Sequence, residues 1–299
     1  MVIKPTKSDK VFNFLNVCIT LTGILICFYP LLFIISASFS DPVNVRNGSM
    51  WLLPKGFTVE GYKLIFTNKD IWRGYANTIF YTIVGTAVNI LVTVPCGYAM
   101  SRKDFIPRGF IMKLFMVTMF FGGGMIPTYI LIKNLHLLNT RLVMIIPGAF
   151  GLGNMILCRT FFMSSLPHEL LEAATIDGCG DFRFFVQIAL PLSTALLAVM
   201  CLYFSVGHWN SYFNGLIYLT DRSKFSLQMI LQEIIVGKDM SGVNSALTAL
   251  EQEHEIERKK LAESIQYGII LVGSLPVLIM YPFVQKFFIK GVMIGSLKG

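Results

Sequence analysis

Charge is scarce in this chain of 299 residues. Lys, Arg, Asp and Glu make up only 14% of it, against about 25% in an average soluble domain. With 54% hydrophobic residues, a soluble fold of this length has too little interior to hide its apolar surface, so the excess must face lipid. The six cysteines, Cys18, Cys27, Cys96, Cys158, Cys179 and Cys201, include no C-x-x-C pair, and all but Cys179 fall in or beside apolar runs. That excludes a disulfide framework or a zinc knot and reads them as small apolar residues. No G-x-x-x-x-G-K-[ST] phosphate loop and no H-E-x-x-H, paired-Asp or Gly-x-Ser catalytic constellation occurs, which leaves an intramembrane enzyme without its chemistry. The net charge of +8 comes without an arginine stripe interleaved with aromatics, so it does not point to nucleic acid.

Long apolar runs are abundant. A transmembrane helix needs about 20 mostly apolar residues, and six such runs are present at approximately 11–36, 76–100, 110–132, 142–163, 190–220 and 264–288. The first is too long for a signal-peptide core and is read as a retained span. Pro95, Pro127, Pro147 and Pro276 lie inside runs, where neighbouring helices can re-satisfy the freed backbone. The expected fold is an all-α polytopic membrane protein of six transmembrane helices.

Loop charge predicts the orientation. Lys4, Lys7 and Lys10 stand against Asp9, the connection Ser101–Arg108 is short and basic, and the C-terminal end carries Lys286, Lys290 and Lys298. Six spans place these three regions on one side, and the positive-inside rule makes it cytoplasmic, with both termini there and the mixed-sign loops 37–75 and 221–263 outside. The connection 164–189 is then cytoplasmic too, yet it carries Glu169, Glu172, Asp177 and Asp181 against Arg183. Its residues 168–176 favour a helix after Pro167, with Leu170, Leu171 and Ala174 on one face and Gly178 where the helix would end. Phe182, Phe185, Val186 and Ala189 are spaced for the apolar face of a second helix, before Leu190-Pro191. Helix, glycine turn and helix make a shape suited to a groove in a partner. A separate charge run, Glu251–Lys260, reads as a solvated helix with Glu255/Lys259 attraction.

Glu172-Ala173-Ala174, three residues, Gly178, nine residues, Ile188, one residue, Leu190-Pro191 resembles the EAA loop of binding-protein-dependent ABC importer permeases at each signature position. Gly123-Gly124-Met-Ile-Pro127-Thr-Tyr129 with Leu137–Thr140, and Trp209-Asn-Ser-Tyr-Phe213 with Leu216–Leu219, are similar to the carbohydrate permeases, which include the maltose-transporter type. The ending Lys290–Gly299 resembles the subgroup importing oligosaccharides from polysaccharides. The resemblance implies a type I importer fold in a bacterial plasma membrane. Its coupling helix, with Glu172, Ala173, Ala174, Asp177 and Gly178, would seat in a cleft of an ATP-hydrolysing subunit. It implies as partners a second homologous permease, two ATP-binding subunits, an extracellular binding protein and an oligosaccharide. ATP and Mg²⁺ would sit on the ATPase subunits, with no cofactor in this chain. The loop alone leaves a peptide or amino-acid importer open; the span and tail resemblances favour sugar.

The expected organisation is an N-terminal part (1–75), a core permease domain (76–290) holding the coupling loop 164–191 and the external loop 221–263, and a tail (291–299). Polar side chains inside spans are expensive and therefore candidates for the pathway. His208, Trp209, Asn210, Tyr212 and Asn214 in the fifth run, with Asn77 and Asn89 in the second, offer rings and amides that match sugar faces and hydroxyls.

Overall fold

A computed structural model describes residues 6–240 and 265–282, with Gln285. The charge run 251–260, residues 241–263 of the external loop and the tail with Lys290 lie outside the described residues. In chain order the helices are α1 (Lys7–Ser38), α2 (Pro42–Arg46), α3 (Glu60–Thr67), α4 (Lys69–Ser101), α5 (Arg108–Phe120), α6 (Met125–Asn134), α7 (Leu152–Ser165), α8 (His168–Ile176), α9 (Asp181–Phe184), α10 (Leu190–Leu192), α11 (Thr194–Trp209), α12 (Phe213–Tyr218) and α13 (Leu227–Met240). A fourteenth, α14, covers Ile265–Pro282. The described residues hold no strand, only a single antiparallel bridge between Ser40 and Phe57. They divide into two compact units, Met1–Lys69 with Leu231–Ser274 and Asp70–Ile230 with Leu275–Gly299.

In the first unit, α1 starts on a capping box. Thr6 Oγ1 accepts from the Asp9 N–H at 3.2 Å and Asp9 Oδ2 from the Thr6 N–H at 2.8 Å, which satisfies two otherwise unpaired donors. At 32 residues the helix is about 48 Å long, more than a hydrocarbon core of about 30 Å requires. Its apolar side chains, Phe14, Ile19 and Leu25 among them, stay exposed. Its far end is closed by a small aromatic knot: Phe39 stacks on Phe57 and Tyr62 at 5.8 and 5.0 Å, and Tyr62 donates its hydroxyl to Ser38 Oγ at 2.7 Å.

The second unit is built on α4. One side of it is a ladder of small and polar residues, Gly74, Thr78, Thr82, Thr86, Asn89, Thr93 and Gly97, all buried. The other carries Ile79, Ile83 and Leu91, all exposed. That division inverts a soluble helix and suits lipid, where helices associate through small residues and interhelical hydrogen bonds. A Cβ on Gly97 would lie 2.5 Å from Cys158 Cβ and 3.1 Å from the Met155 carbonyl, so α7 crosses α4 in backbone contact there. Below the crossing, Val94, Tyr98, Cys158, Phe162, Ala174, Phe184, Phe185, Ala189, Leu196, Met200 and Phe204 form one core. A second core gathers Tyr81, Ile132, Val143–Ile145, Tyr218, Leu219 and Met229.

Three single helices, α1, α4 and α14, are long and apolar enough to cross a membrane, and three bent pairs pass the same test together. The bends revise the expectation of continuous runs. Over 110–132 the chain breaks at Phe121–Gly124 and α5 and α6 meet at 114°; three consecutive glycines remove the helical bias, and Gly124 has φ +81°. Over 142–163 a 3₁₀ stretch containing Pro147 precedes α7 at 49°. The fifth run begins its straight helix at Thr194, because Asp181–Leu192 meets α11 at 82°. Pro191 lacks an N–H and its ring crowds the Gln187 carbonyl, and the chain responds with a π-helical turn over Phe185–Ala189. All six cysteines are free.

Gly97→Leu therefore forces α7 off α4. Overpacking of this kind costs about 1–3 kcal/mol or more, and the expected result is a lower melting temperature of the detergent-solubilised protein and a smaller folded yield. Wild-type thermal unfolding would contradict the close crossing.

Candidate functional site: an exposed turn and a polar cavity

The acidic connection folds as helix, turn and helix. Pro167, in extended conformation, caps α8, and Glu169 lies in its first turn. Gly178 has φ +75°, a conformation glycine adopts without a Cβ penalty. Around it the Cys179 N–H reaches the Ala174 carbonyl at 2.8 Å and the Gly178 N–H the Thr175 carbonyl at 3.0 Å, the paired bonds of a Schellman ending. Ala174 is buried against the Phe184–Phe185 core, with Leu170 and Leu171 packed beside it. Glu172, Ala173, Asp177 and Gly178 remain exposed. His168 Nε2 stands 3.7 Å from Glu172 Oε1, one turn apart.

In the second helix, Phe185 and Ala189 are buried as expected, but Phe182 is 80% exposed and Val186 also faces outward, while Phe184 is buried. The π turn shifts the register, so a plain helical period misassigned that face. Ile176, 85% exposed, was likewise not singled out. Glu172, Ala173, Ile176, Asp177, Gly178 and Phe182 are thus among the turn's outward residues, with Glu169, Thr175 and Asp181, so that carboxylates stand among apolar side chains.

Arg102, at the end of α4, ties this turn down. Its guanidinium donates to Asp181 Oδ1 at 2.9 Å, to both carboxylate oxygens of Asp104, and to the Tyr98 hydroxyl at 2.9 Å. Tyr98 packs its ring on Phe185 at 4.8 Å and on Phe162 at 5.4 Å. The Arg102 fork pulls the Asp104 carboxyl from an ordinary 3.8 down to about 2. Because that value is depressed, the ionised pair is complete above about pH 4 and is lost as pH falls toward 2. Asp104 and Asp181 are largely exposed, so each pair adds at most about 1 kcal/mol. Reading Ser101–Arg108 only as a topology signal missed this role. A cavity of about 300 Å³ lies alongside, lined by Tyr98, Arg102, Phe162, Leu166, His168 and Leu171 among others.

The polar residues of the spans divide into two groups. Asn89, His208 and Asn214 line one cavity of about 290 Å³, with Asn154, Tyr203 and Ser211. Within it, Asn89 donates to the Gly148 carbonyl at 2.6 Å, which turns its amide oxygen to His208 Nε2 at 2.7 Å. Gly85 gives the His208 ring its room, since a Cβ there would meet the ring at 2.4 Å. Asn77, Trp209, Asn210 and Tyr212 are not among the lining residues. Asn77 donates to the Ser223 and Phe225 carbonyls at 2.8 and 3.0 Å and, with Tyr81 and Thr78, fixes the segment before α13. Trp209 is buried, 6.0 Å from Tyr75. Asn210 ends α11 and is exposed, and Tyr212 packs on the second core. Asn154, Tyr203 and Ser211 were not anticipated; the threonine and glycine spacing along α4 was the available signal that this face is interior.

No family model matches the chain. Protein LplC of Bacillus subtilis (strain 168) is 37% identical over 295 residues, covering 98% of this chain and 97% of that protein. The polygalacturonan/rhamnogalacturonan transport system permease protein YtcP of the same organism is 36% identical over 296 residues, covering 97% and 99%. The chain belongs to the permease subunits of carbohydrate ABC importers. A solved chain from a bacterial ABC transporter involved in import of the acidic polysaccharide alginate superposes on this permease with a TM-score of 0.83 at 30% identity, over 96% of this chain and 100% of that one. Such permeases are not enzymes; the ATPase activity lies in separate subunits.

The Asn89 bridge is structural in its geometry. Asn89→Ala strands the Gly148 carbonyl and His208 Nε2, which costs about 1–3 kcal/mol. A lowered melting temperature of the purified permease is expected, and an unchanged one would contradict the bridge.

Proposed function

We propose that this permease forms the translocation path of an ATP-driven importer for an oligosaccharide, in a bacterial plasma membrane. Three single helices and three bent pairs would make six spans, with both termini and the α8 turn in the cytoplasm. In this reading, 76–290 is the core permease domain, preceded by 1–75 and followed by the tail 291–299. It pairs with a second homologous permease, two ATPase subunits that carry ATP and Mg²⁺, and an extracellular sugar-binding protein. Part of 225–250 would reach toward that binding protein.

One observation carries the reading. Glu172, Ala173, Asp177 and Gly178 stand exposed on a turn that is otherwise anchored by buried aromatics. Ala174 sits beneath them as the anchor rather than on the docking face. A rigid outward turn with carboxylates among apolar side chains fits a cleft in an ATPase subunit, and closure of two such subunits around ATP would drive the turns together. The polar cavity supports the cargo assignment: amide, hydroxyl, phenol and imidazole groups suit sugar hydroxyls and ring faces. The names of YtcP and of the arabinooligosaccharides transport system permease protein AraQ of Halalkalibacterium halodurans, 28% identical over 283 residues and covering 92% of each chain, favour the same class. Since Asn89 and His208 satisfy each other, Asn214, Asn154 and Ser211 are the side chains best placed to meet sugar.

Glu172→Ala should cut sugar uptake about tenfold, in the range of a lost interface anchor, with membrane insertion unchanged; normal uptake would remove the docking role. Asn214→Ala should slow uptake at limiting sugar by about threefold to tenfold without lowering the melting temperature, measured in proteoliposomes with the binding protein. Equal uptake at every sugar concentration would take Asn214 out of the path.

A further inference from the structure

We infer that Arg102 is the positioning residue through which motion of the α8 turn reaches α4, acting by its bond to Asp181; this rests on the docking role proposed above. The first helix of the turn and the second are held differently. Between α8 and the ends of α4 and α7 lies the 300 Å³ cavity lined by Tyr98, Arg102, Phe162 and Leu171. α8 rests on the aromatic core through Leu170, Leu171 and Ala174, and toward the end of α4 it faces that space. The second helix also borders that space, through Phe184, but it is tied directly to the end of α4: Asp181 bonds Arg102 at 2.9 Å, and Phe185 lies 4.8 Å from Tyr98. Arg102 in turn cannot swing freely. Its side chain is only 14% exposed, it bonds the Tyr98 hydroxyl one helical turn back, and its carbonyl accepts from Arg108 Nη1 at 2.7 Å. The guanidinium therefore joins three pieces, α4, the connection to α5 and α9. Force entering at Glu172 passes through the Gly178 turn to Asp181 and so to the end of α4, the helix that farther along lines the polar cavity through Asn89.

Asp104 supplies the control, because it shares the same guanidinium but belongs to the connection and not to the turn. The full complex is reconstituted with its binding protein and sugar, and sugar transported per ATP hydrolysed is compared for wild type, Asp181→Asn, Asp181→Glu and Asp104→Asn. Asp181→Asn should lower the ratio about threefold to fivefold, the effect of losing one exposed ion pair. ATPase subunits should co-purify in wild-type amounts, Asp181→Glu should recover most of the ratio, and Asp104→Asn should stay near wild type. A wild-type ratio in Asp181→Asn, or equal losses in Asp181→Asn and Asp104→Asn, would overturn the relay while leaving the docking role standing. Failure of the wild-type chain to bring down any ATPase subunit would overturn both.

Discussion

The close approach of neighbouring helices to α4 is the contact on which the second unit depends. Gly85 and Gly97 remove the side chains that would hold His208 and Cys158 away, and Thr78, Thr86 and Asn89 supply hydrogen bonds across the gap that remains, to Leu227, Ser205 and Gly148. In lipid, apolar burial between helices gains little, because the acyl chains are as apolar as the side chains they would replace. Packing distance and polar pairing have to hold the helices instead. The same ladder leaves the outer face of α4 to Ile79, Ile83 and Leu91, which are at ease against lipid.

That arrangement gives the two functional regions a common support. At one end α4 presents Tyr98 and Arg102 to the turn that follows α8; farther along it presents Asn89 to the polar cavity. A permease needs such a connection, because the turn where the ATPase subunit would push contributes no residue to the lining of the cavity where sugar would pass. The Schellman ending at Gly178 closes the turn over its core, so that in the proposed docking a displacement at Glu172 would be carried into the second helix. The exposed Ile176 and Phe182 add apolar area beside the carboxylates, which the cleft of a partner would bury.

Much of this was legible in the residues. The apolar runs located the three span-length helices α1, α4 and α14, the spacing from Glu172 to Pro191 marked the turn, and Gly178 fell where a positive φ was required. By contrast, α13 lies inside what was read as the external loop 221–263. What escaped reading was local geometry. Hydropathy treats 110–132 as one run because glycine counts as nearly neutral, whereas Gly122–Gly124 lets the backbone fold back. The period across 182–189 assumed a regular helix, and the π turn before Pro191 exchanged Phe182 for Phe184 on the buried face. Polarity alone grouped Asn77 with Asn89, yet one fastens the segment at 223–225 and the other faces the cavity. Arg102 looked like one more positive charge in a basic loop, since nothing local in the sequence pairs it with Asp181.

The docking of the α8 turn on an ATPase subunit from the cytoplasm is the claim on which the functional account stands. Ala173→Cys, in a chain with its native cysteines replaced, places a thiol on the exposed turn beside Glu172. A short bifunctional thiol crosslinker applied to membrane vesicles holding the full complex should join this position to the ATPase subunit. A membrane-impermeant maleimide should reach it only from the cytoplasmic side, and only when the ATPase subunit has been stripped away. Labelling from the outer face, or equal labelling with and without the ATPase subunit and no crosslinked product, would contradict the account.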